Sequence, residues 1–469
     1  MGVSGTMGRV THYDLAVIGT GSGNPIVDHR FQDWRVAIIE DNIFGGTCLN
    51  VGCIPTKMFV YPADLARGAA RTTPELGVHT SYDGADWPAI RDRIFARIDP
   101  IAAGGKDYRE GLPNVDVYTQ HATFVDDHTL TLPSKGGGTG VQITADQIVI
   151  AAGSRVDVAD LPGLHEVDFH TSDTVMRLDE LPRRMAIVGG GYVAAEFAHV
   201  FSALGTAVTQ IQRGPLLLRE HDDDIARQFT EIAGHQWDVR LDTTVTGLER
   251  RGSATALTLS DGSTLETDVL LIATGRLRNG DRLGLANTTI ASQGGKVTVD
   301  EFQRTSAAGV WALGDVSSDY ELKHVANHEA RTVQHNLLHP DSLVASDHRF
   351  VPSAVFTSPQ IASVGLTERD AREQGIDHVA VSHDYADVAY GWAMESPPGR
   401  SFVKLIGDPA GERLLGAHII GPQASLLLQP LVQAMSLGTS PTEMSRGQYW
   451  IHPSLAEVVE NALLKMVTK

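Results

Sequence analysis

Cysteine is the scarcest chemistry in this chain: there are two in 469 residues, Cys48 and Cys53. Two thiols cannot build the disulfide framework of a secreted domain, and a reducing cytosol would not preserve a merely structural bridge. If they pair, the pairing has a redox purpose. Positive charge is also short, with 38 Lys and Arg against 57 Asp and Glu, a formal charge of −19 and no basic block. That argues against nucleic acid and anionic membrane as main partners. Long apolar runs are missing too. The best candidate, SLLLQPLVQAMSL, is broken by Gln429 and Pro430, well short of the roughly 18 residues a span needs. The start, MGVSGTMGRVTHYD, has no apolar signal core, so no export is indicated and a cytoplasmic protein is expected. It reads as a disordered extension in which Met7 is an alternative first residue. No metal site is expected.

What remains is 42% apolar and 20% charged, an ordinary globular balance. The chain is too long for one core, since domains hold roughly 100 to 200 residues, so two or three are expected.

The first periodic segment, YDLAVIGTGSGN, is an apolar strand over Leu15 to Ile18 running into Gly19, Gly21 and Gly23; a second strand, RVAIIE, ends in Glu40. A strand that turns through glycines into a helix N-terminus lets backbone N–H groups approach a pyrophosphate, and an acid about 20 residues on takes the ribose hydroxyls. Asn24 stands where the pattern has its third glycine, which predicts looser helix packing there. The unit recurs in RMAIVGGGYVAAEFAHVFSALGTAVTQIQR, with a strand at Met185 to Val188, then Gly189, Gly191 and Ala194. Here the second strand ends in Gln212 and Arg213, with Arg219 close behind. Losing the acid and gaining guanidinium groups favours a ribose 2′-phosphate, hence NADPH over NADH. Isolated arginines are more often solvated surface residues; their place after this strand tips the balance.

TADQIVIAAGS (144–154), ETDVLLIATGR (266–276) and GVWALGDV (309–316) are apolar strands closing in small-residue turns; the last delivers Asp315, either a turn residue or a partner for flavin ribityl hydroxyls. PSKGGGTGV (133–141) reads as a hairpin loop. From about Phe350 the pattern changes to short strands followed by helix, with no glycine cradle.

Both thiols lie in GGTCLNVGCIPTK, residues 45–57. Bridging residues five apart requires a bent turn; Gly52 permits one, and Pro55 suits the first turn of a following helix. A thiol at a helix N-terminus, with Lys57 one turn away, should be acidic, which makes Cys53 the stabilised thiolate and Cys48 the attacker of an external disulfide. Such exchange needs a proton donor. In QYWIHPSLAEVVENALL, His452 is followed by Glu457, an acid placed to orient and charge the imidazole; alone, that pattern leaves structural and catalytic roles evenly matched.

Together these motifs resemble the pyridine nucleotide disulfide oxidoreductases, which include glutathione reductase and dihydrolipoamide dehydrogenase, in family order from Tyr13 to about Leu464. GGTCLNVGCIPTK is the most specific. The resemblance implies an α/β fold: two Rossmann-like dinucleotide-binding domains plus an α+β C-terminal dimerisation domain. FAD would occupy residues 1–155 and 275–349, NADPH 156–274, and residues 350–469 would form the homodimer. It implies FAD in the first cradle, with Thr47 and Lys57 among its contacts, Cys53 as charge-transfer thiolate, and Cys48 as interchange thiol. His452, with Glu457, would be the acid–base residue supplied by the other subunit. Lys57 would pair with Glu196 beside the flavin, and Tyr192 would act as a lid. Within the family, HTSDTVMR, KHVANHEAR, DYADVAYGWAME and RGQYWIHP point to reduction of mycothione, a small-molecule disulfide, to two mycothiols. Dihydrolipoamide dehydrogenase keeps an acid at the place of Gln212; glutathione reductase shares the arginines; mercuric reductase usually has a further C-terminal cysteine pair, absent from ALLKMVTK. A passive flavin-binding protein would have no use for Cys48, Cys53 and His452 together.

Overall fold

The computed structural model describes residues 10–70, 76–133 and 140–467. The extension read at the N-terminus up to Arg9, and positions 134–139 of the loop read over 133–141, lie outside them. The chain forms two compact units, one made of the chain up to Pro55 with Asp92–Asp157 and Arg276–His348, the other of Thr56–Arg91, Val158–Gly275 and Arg349 onward.

The first unit is built on a seven-stranded sheet. Strands Val115–Tyr118, Val36–Ile39, Thr11–Ile18 and Val141–Ile150 lie side by side in that order, all parallel. Val310–Ala312 continues the parallel set along the end of Val141–Ile150, and the strands Thr129–Leu132 and Thr123–Asp126 add an antiparallel hairpin. Strands covered on both faces must be apolar throughout, and VAII at 36–39 is buried at every position. Successive side chains point to opposite faces. Ala16, Ile18, Ala37 and Ile39 therefore join one core, and Leu15, Val17, Val36 and Ile38 the other.

One expectation is overturned in this unit. No α-helix follows the first glycine turn; two short 3₁₀ segments, Asn24–Ile26 and His29–Phe31, carry the chain to the next strand. Pro25 starts the first, and the Asp28 carboxylate accepts the Arg30 N–H to start a new turn. Ile26, Val27 and Phe31 are buried in the core from these short turns.

In the second unit the strand–turn–helix reading holds. Arg184–Val188 leads through glycines into the helix Tyr192–Ala203, within a parallel sheet ordered Asp238–Arg240, Ala207–Ile211, Arg184–Val188, Val269–Ile272. Nine of that helix's twelve residues are buried, as a helix rich in Ala, Val and Phe requires. The C-terminal part of the same unit is a five-stranded antiparallel sheet ordered Ser353–Val355, Gln360–Gly365, Leu414–Gly421, Phe402–Gly407, Val379–Asp384. Helices Ala424–Leu437 and Ala456–Val467 share its core of Val364, Leu405, Ile419, Leu428, Val458 and Leu463.

Candidate active site

Cys48 and Cys53 form a disulfide with Cα atoms 4.8 Å apart. The bend is made by a short helix, Gly46–Asn50, followed by the start of a second, Cys53–Ala70. Asn50, buried at the junction, donates to the carbonyls of Phe44 and Gly46 (both 3.0 Å). Gly52 is required for space, since a Cβ there would come 2.9 Å from the Thr47 carbonyl oxygen. Cys53 opens the second helix with Pro55 in its first turn, at the positive end of the helix dipole.

The dithiol segment sits directly on the first glycine turn. A Cβ at Gly46 (φ 71°) would lie 2.6 Å from Gly21 Cα, so Gly46 must be bare. Gly45 N donates to Thr20 Oγ (2.8 Å), and Thr20 donates its hydroxyl and N–H to Glu40 Oε2 (2.5 and 2.9 Å). Glu40 is thus fixed and buried at the end of its strand, with Oε1 accepting from Asn42 N at 3.0 Å. A Cβ at Gly19 would strike the Ala151 carbonyl at 2.2 Å, and one at Gly23 the Gly19 carbonyl at 2.5 Å. Bare backbone beside a fixed, buried acid fits a dinucleotide's pyrophosphate and ribose. Thr47 is exposed in the short helix. Asp315 lies in a turn after Val310–Ala312 and accepts the Ser154 hydroxyl at 2.6 Å; Ser154 Oγ in turn accepts from Arg276 Nε at 2.7 Å.

Several groups at this cradle carried no motif. Lys323 donates to Ser22 Oγ at 2.8 Å, and burial pulls it below the usual lysine range. Glu329, buried on the helix Lys323–Leu338, accepts from Gly314 N and holds the turn that presents Asp315. Arg109 donates to Asn24 through Nε to Oδ1 (2.7 Å) and Nη2 to the carbonyl (2.6 Å), which gives the departure at Asn24 a structural purpose. Only their long separations along the chain hid them.

In the second unit Lys57 pairs with Glu196. Glu196 is buried, and its other oxygen accepts from Phe356 N at 2.9 Å. The Lys57 ammonium also stands 4.7 Å from the centre of the Phe356 ring. Asp64 with His199 (2.8 Å) and Arg67 with Ser202 (2.8 Å) extend the same seam between helices Cys53–Ala70 and Tyr192–Ala203. Tyr192 heads the second of these helices, 43% exposed.

At the second cradle a Cβ on Gly189 would meet the Ala273 carbonyl at 2.1 Å, whereas Gly191 faces open space. Gln212 lies against Gly190 and is held by Leu216 O (3.2 Å) and Arg213 N (3.1 Å). Arg213 and Arg219 are exposed, the latter 3.0 Å from Glu220. Two guanidinium groups and no acid at the strand end fit a ribose 2′-phosphate.

His452 Nδ1 lies 2.7 Å from Glu457 Oε1, whose partner oxygen accepts Ser454 N at 3.0 Å. Burial alone would raise the Glu457 carboxyl, but these two donors carry it below the usual range. The imidazole is 72% exposed, with Nδ1 engaged by Glu457.

Among the described residues no group of His, Cys, Asp and Glu is arranged to hold a metal, and no helix is long and apolar enough to cross a membrane.

Comparison with known proteins agrees with this geometry. The family model for pyridine nucleotide-disulphide oxidoreductases matches residues 13–330, and that for their dimerisation domain residues 351–463. Mycothione reductase from Mycobacterium tuberculosis is 55% identical over 463 residues, covering 96% of this chain and 99% of that protein. Glutathione reductase from Burkholderia cepacia is 32% identical over 95% of this chain and 97% of its own. Among solved structures, the Cu(II) complex of the HOCl-induced flavoprotein disulfide reductase RclA from Escherichia coli matches 97% of this chain and 100% of its own, with a TM-score of 0.85 at 28% identity. The chain belongs to the pyridine nucleotide-disulphide oxidoreductase family, within which it is an FAD-containing, NADPH-dependent enzyme with a redox-active disulfide.

Proposed function

We propose that the enzyme reduces mycothione to two mycothiols. The observation that carries disulfide reduction is the Cys48–Cys53 bridge, set at a helix N-terminus and directly on the first glycine turn; likeness over almost the whole of a mycothione reductase supports the particular substrate. In this reading residues 1–155 and 275–349 hold FAD, with Gly19, Gly21, Gly23, Glu40, Thr47, Lys57 and Asp315 around it. Residues 156–274 hold NADPH through Gly189, Gly191, Arg213 and Arg219, with Tyr192 as a lid, and residues 350–469 form the homodimer.

Held by this cradle, FAD would supply the two-electron relay between NADPH and the Cys48–Cys53 disulfide. The rest is protein chemistry. The Cys48 thiolate attacks one sulfur of the substrate; that disulfide breaks, a Cys48 mixed disulfide forms, and the departing thiolate takes a proton from His452. Cys53 then attacks the Cys48 sulfur, restoring the bridge and releasing the second thiolate, which is protonated in its turn through His452. The sum consumes NADPH, a proton and one disulfide and yields NADP⁺ and two thiols. Glu457 fixes the imidazole so that Nε2 carries the mobile proton, and Glu196 holds the Lys57 charge in place.

His452 is assigned to the partner subunit's dithiol. Tyr449 and Ile451 beside it, and Leu426 and Leu437 on the helix Ala424–Leu437, are 70% or more exposed, apolar side chains that a second copy of the chain would cover in this reading. The test is NADPH oxidation by the purified protein with mycothione, glutathione disulfide and lipoamide offered separately, and NADH as alternative reductant. Turnover confined to mycothione with NADPH is expected; preference for lipoamide with NADH would overturn the assignment.

A further inference from the structure

A helix N-terminus carries about half a positive charge, and nucleotide cradles use it against a pyrophosphate. The first cradle has none after its glycines, only a three-residue 3₁₀ segment. A guanidinium stands behind the turn instead. Arg109, near the end of the helix Trp87–Glu110, is 5% exposed, and its two hydrogen bonds both go to Asn24, a neutral residue next to Gly23.

A buried cation without an anion is costly. Among the described residues no carboxylate comes within ion-pair distance of Arg109. The carboxylate in whose field it lies, Asp28, is engaged by Arg30 at 2.7 Å. Lys323, the other cation at the turn, has the Asp315 charge in its field. Burial accordingly weakens the Arg109 proton's hold. A site that keeps such a charge awaits an anion from outside.

We propose that Arg109 supplies, at the first glycine turn, the positive field an α-helix N-terminus would have given, with the FAD pyrophosphate as its counter-charge. This rests on the placement of FAD in the first cradle. Arg109 is a positioning residue, fixing Asn24 by its hydrogen bonds and favouring the anion by its charge.

The two contributions separate by substitution. Arg109→Gln retains a donor for Asn24 and removes the charge; Arg109→Lys retains the charge. FAD release from the purified holoenzyme, followed by flavin fluorescence on dilution, is expected to give a dissociation constant roughly 10- to 100-fold higher for Arg109→Gln and only about 2- to 5-fold higher for Arg109→Lys. Melting followed by circular dichroism in saturating FAD should change little. Equal loosening in both variants, or none in Arg109→Gln, overturns the proposal. Should Arg109→Gln not fold, Asn24→Asp decides. It gives Arg109 a carboxylate in place of the cofactor and should release FAD at least about tenfold more readily; unchanged retention overturns the proposal. Glu40→Ala tests the cradle itself. If it leaves FAD retention untouched, the placement of FAD falls; if it loosens FAD while Arg109→Gln does not, only the role of Arg109 falls.

Discussion

Coenzyme choice is where the geometry makes its sharpest quantitative demand. A hydrogen bond from a guanidinium to a phosphate is worth about 1.5–3 kcal/mol. Arg213 and Arg219 are both exposed, and Arg219 shares its charge with Glu220 at 3.0 Å, so solvent and competition place each at the low end, about 1.5 kcal/mol or tenfold. Arg213→Ala with Arg219→Ala should therefore lower kcat/KM for NADPH by about 100-fold while leaving NADH nearly untouched. Gln212→Glu adds an acceptor for the ribose hydroxyls of NADH. The new carboxylate keeps its bond from Arg213 N (3.1 Å) but faces the Leu216 carbonyl where Gln212 donated (3.2 Å), a loss of about 1 kcal/mol. The net gain for NADH should be only about threefold. The triple variant then shifts the NADPH-to-NADH ratio by about 300-fold, read from steady-state rates with a saturating disulfide substrate. A shift of less than about threefold, or equal losses with both nucleotides, would refute the assignment of these arginines.

Glu457→Gln keeps the shape of the His452 partner and removes the charge that makes its 2.7 Å hydrogen bond strong. It should slow reoxidation of the two-electron-reduced enzyme by disulfide roughly 10- to 100-fold while its reduction by NADPH keeps its rate, both by stopped flow. Gly46→Ala forces a side chain at φ 71° to within 2.6 Å of Gly21 Cα; a melting-curve loss of about 2–5 kcal/mol is expected, with FAD release. His221 is half-buried with Nδ1 at 3.2 Å from Ser363 Oγ, and desolvation, with the neighbouring His418, lowers its pKa from 6.5 to about 4. The unfolded chain binds that proton more readily, so stability present above pH 6.5 should be lost as pH falls toward 4, by about 3 kcal/mol. His221→Gln should flatten the urea midpoint across that window; an unchanged slope would rule out the histidine as its source.

Local pattern was enough for the sheets, because parallel strands buried on both faces leave continuous apolar runs such as VAII and because glycine turns mark where they end. It was also enough for the bent dithiol and for the His452–Glu457 pair, five residues apart. It failed where a helix was inferred from the glycines alone. Pro25 and the Asp28 carboxylate, which caps a new turn at Arg30, divide residues 24–31 into short 3₁₀ segments. The Lys57–Glu196 pair was reached only through family resemblance, since its partners are 139 positions apart. Arg109, 85 positions from Asn24, left no signal at all. Its class is normally surface-exposed, and only the fold shows this one to be buried.

Lys404, a buried charge of the second unit, obeys the rule from which Arg109, in the first, departs, and the contrast strengthens the case for a missing anion. Lys404, 3% exposed on the strand Phe402–Gly407, is ringed by Asp222 (2.9 Å), Asp224 (2.6 Å) and Glu368 (2.7 Å). Burial opposes its charge, yet the three carboxylates outweigh that and hold Lys404 above the usual lysine range, while each of them is held below its own. Arg227 and Arg372 in turn face Asp224 and Glu368, so three cations meet three anions and the cluster is neutral without help from outside. A fold that balances a buried lysine so completely has no physical need to leave an arginine uncompensated, unless the balancing charge arrives with the cofactor. The Arg109→Gln and Lys404→Met substitutions should therefore part company. Removing Lys404 leaves buried Asp222 without its cation and should destabilise the chain by about 3–5 kcal/mol whether or not FAD is added in excess. Removing the Arg109 charge should instead be visible chiefly as lost FAD.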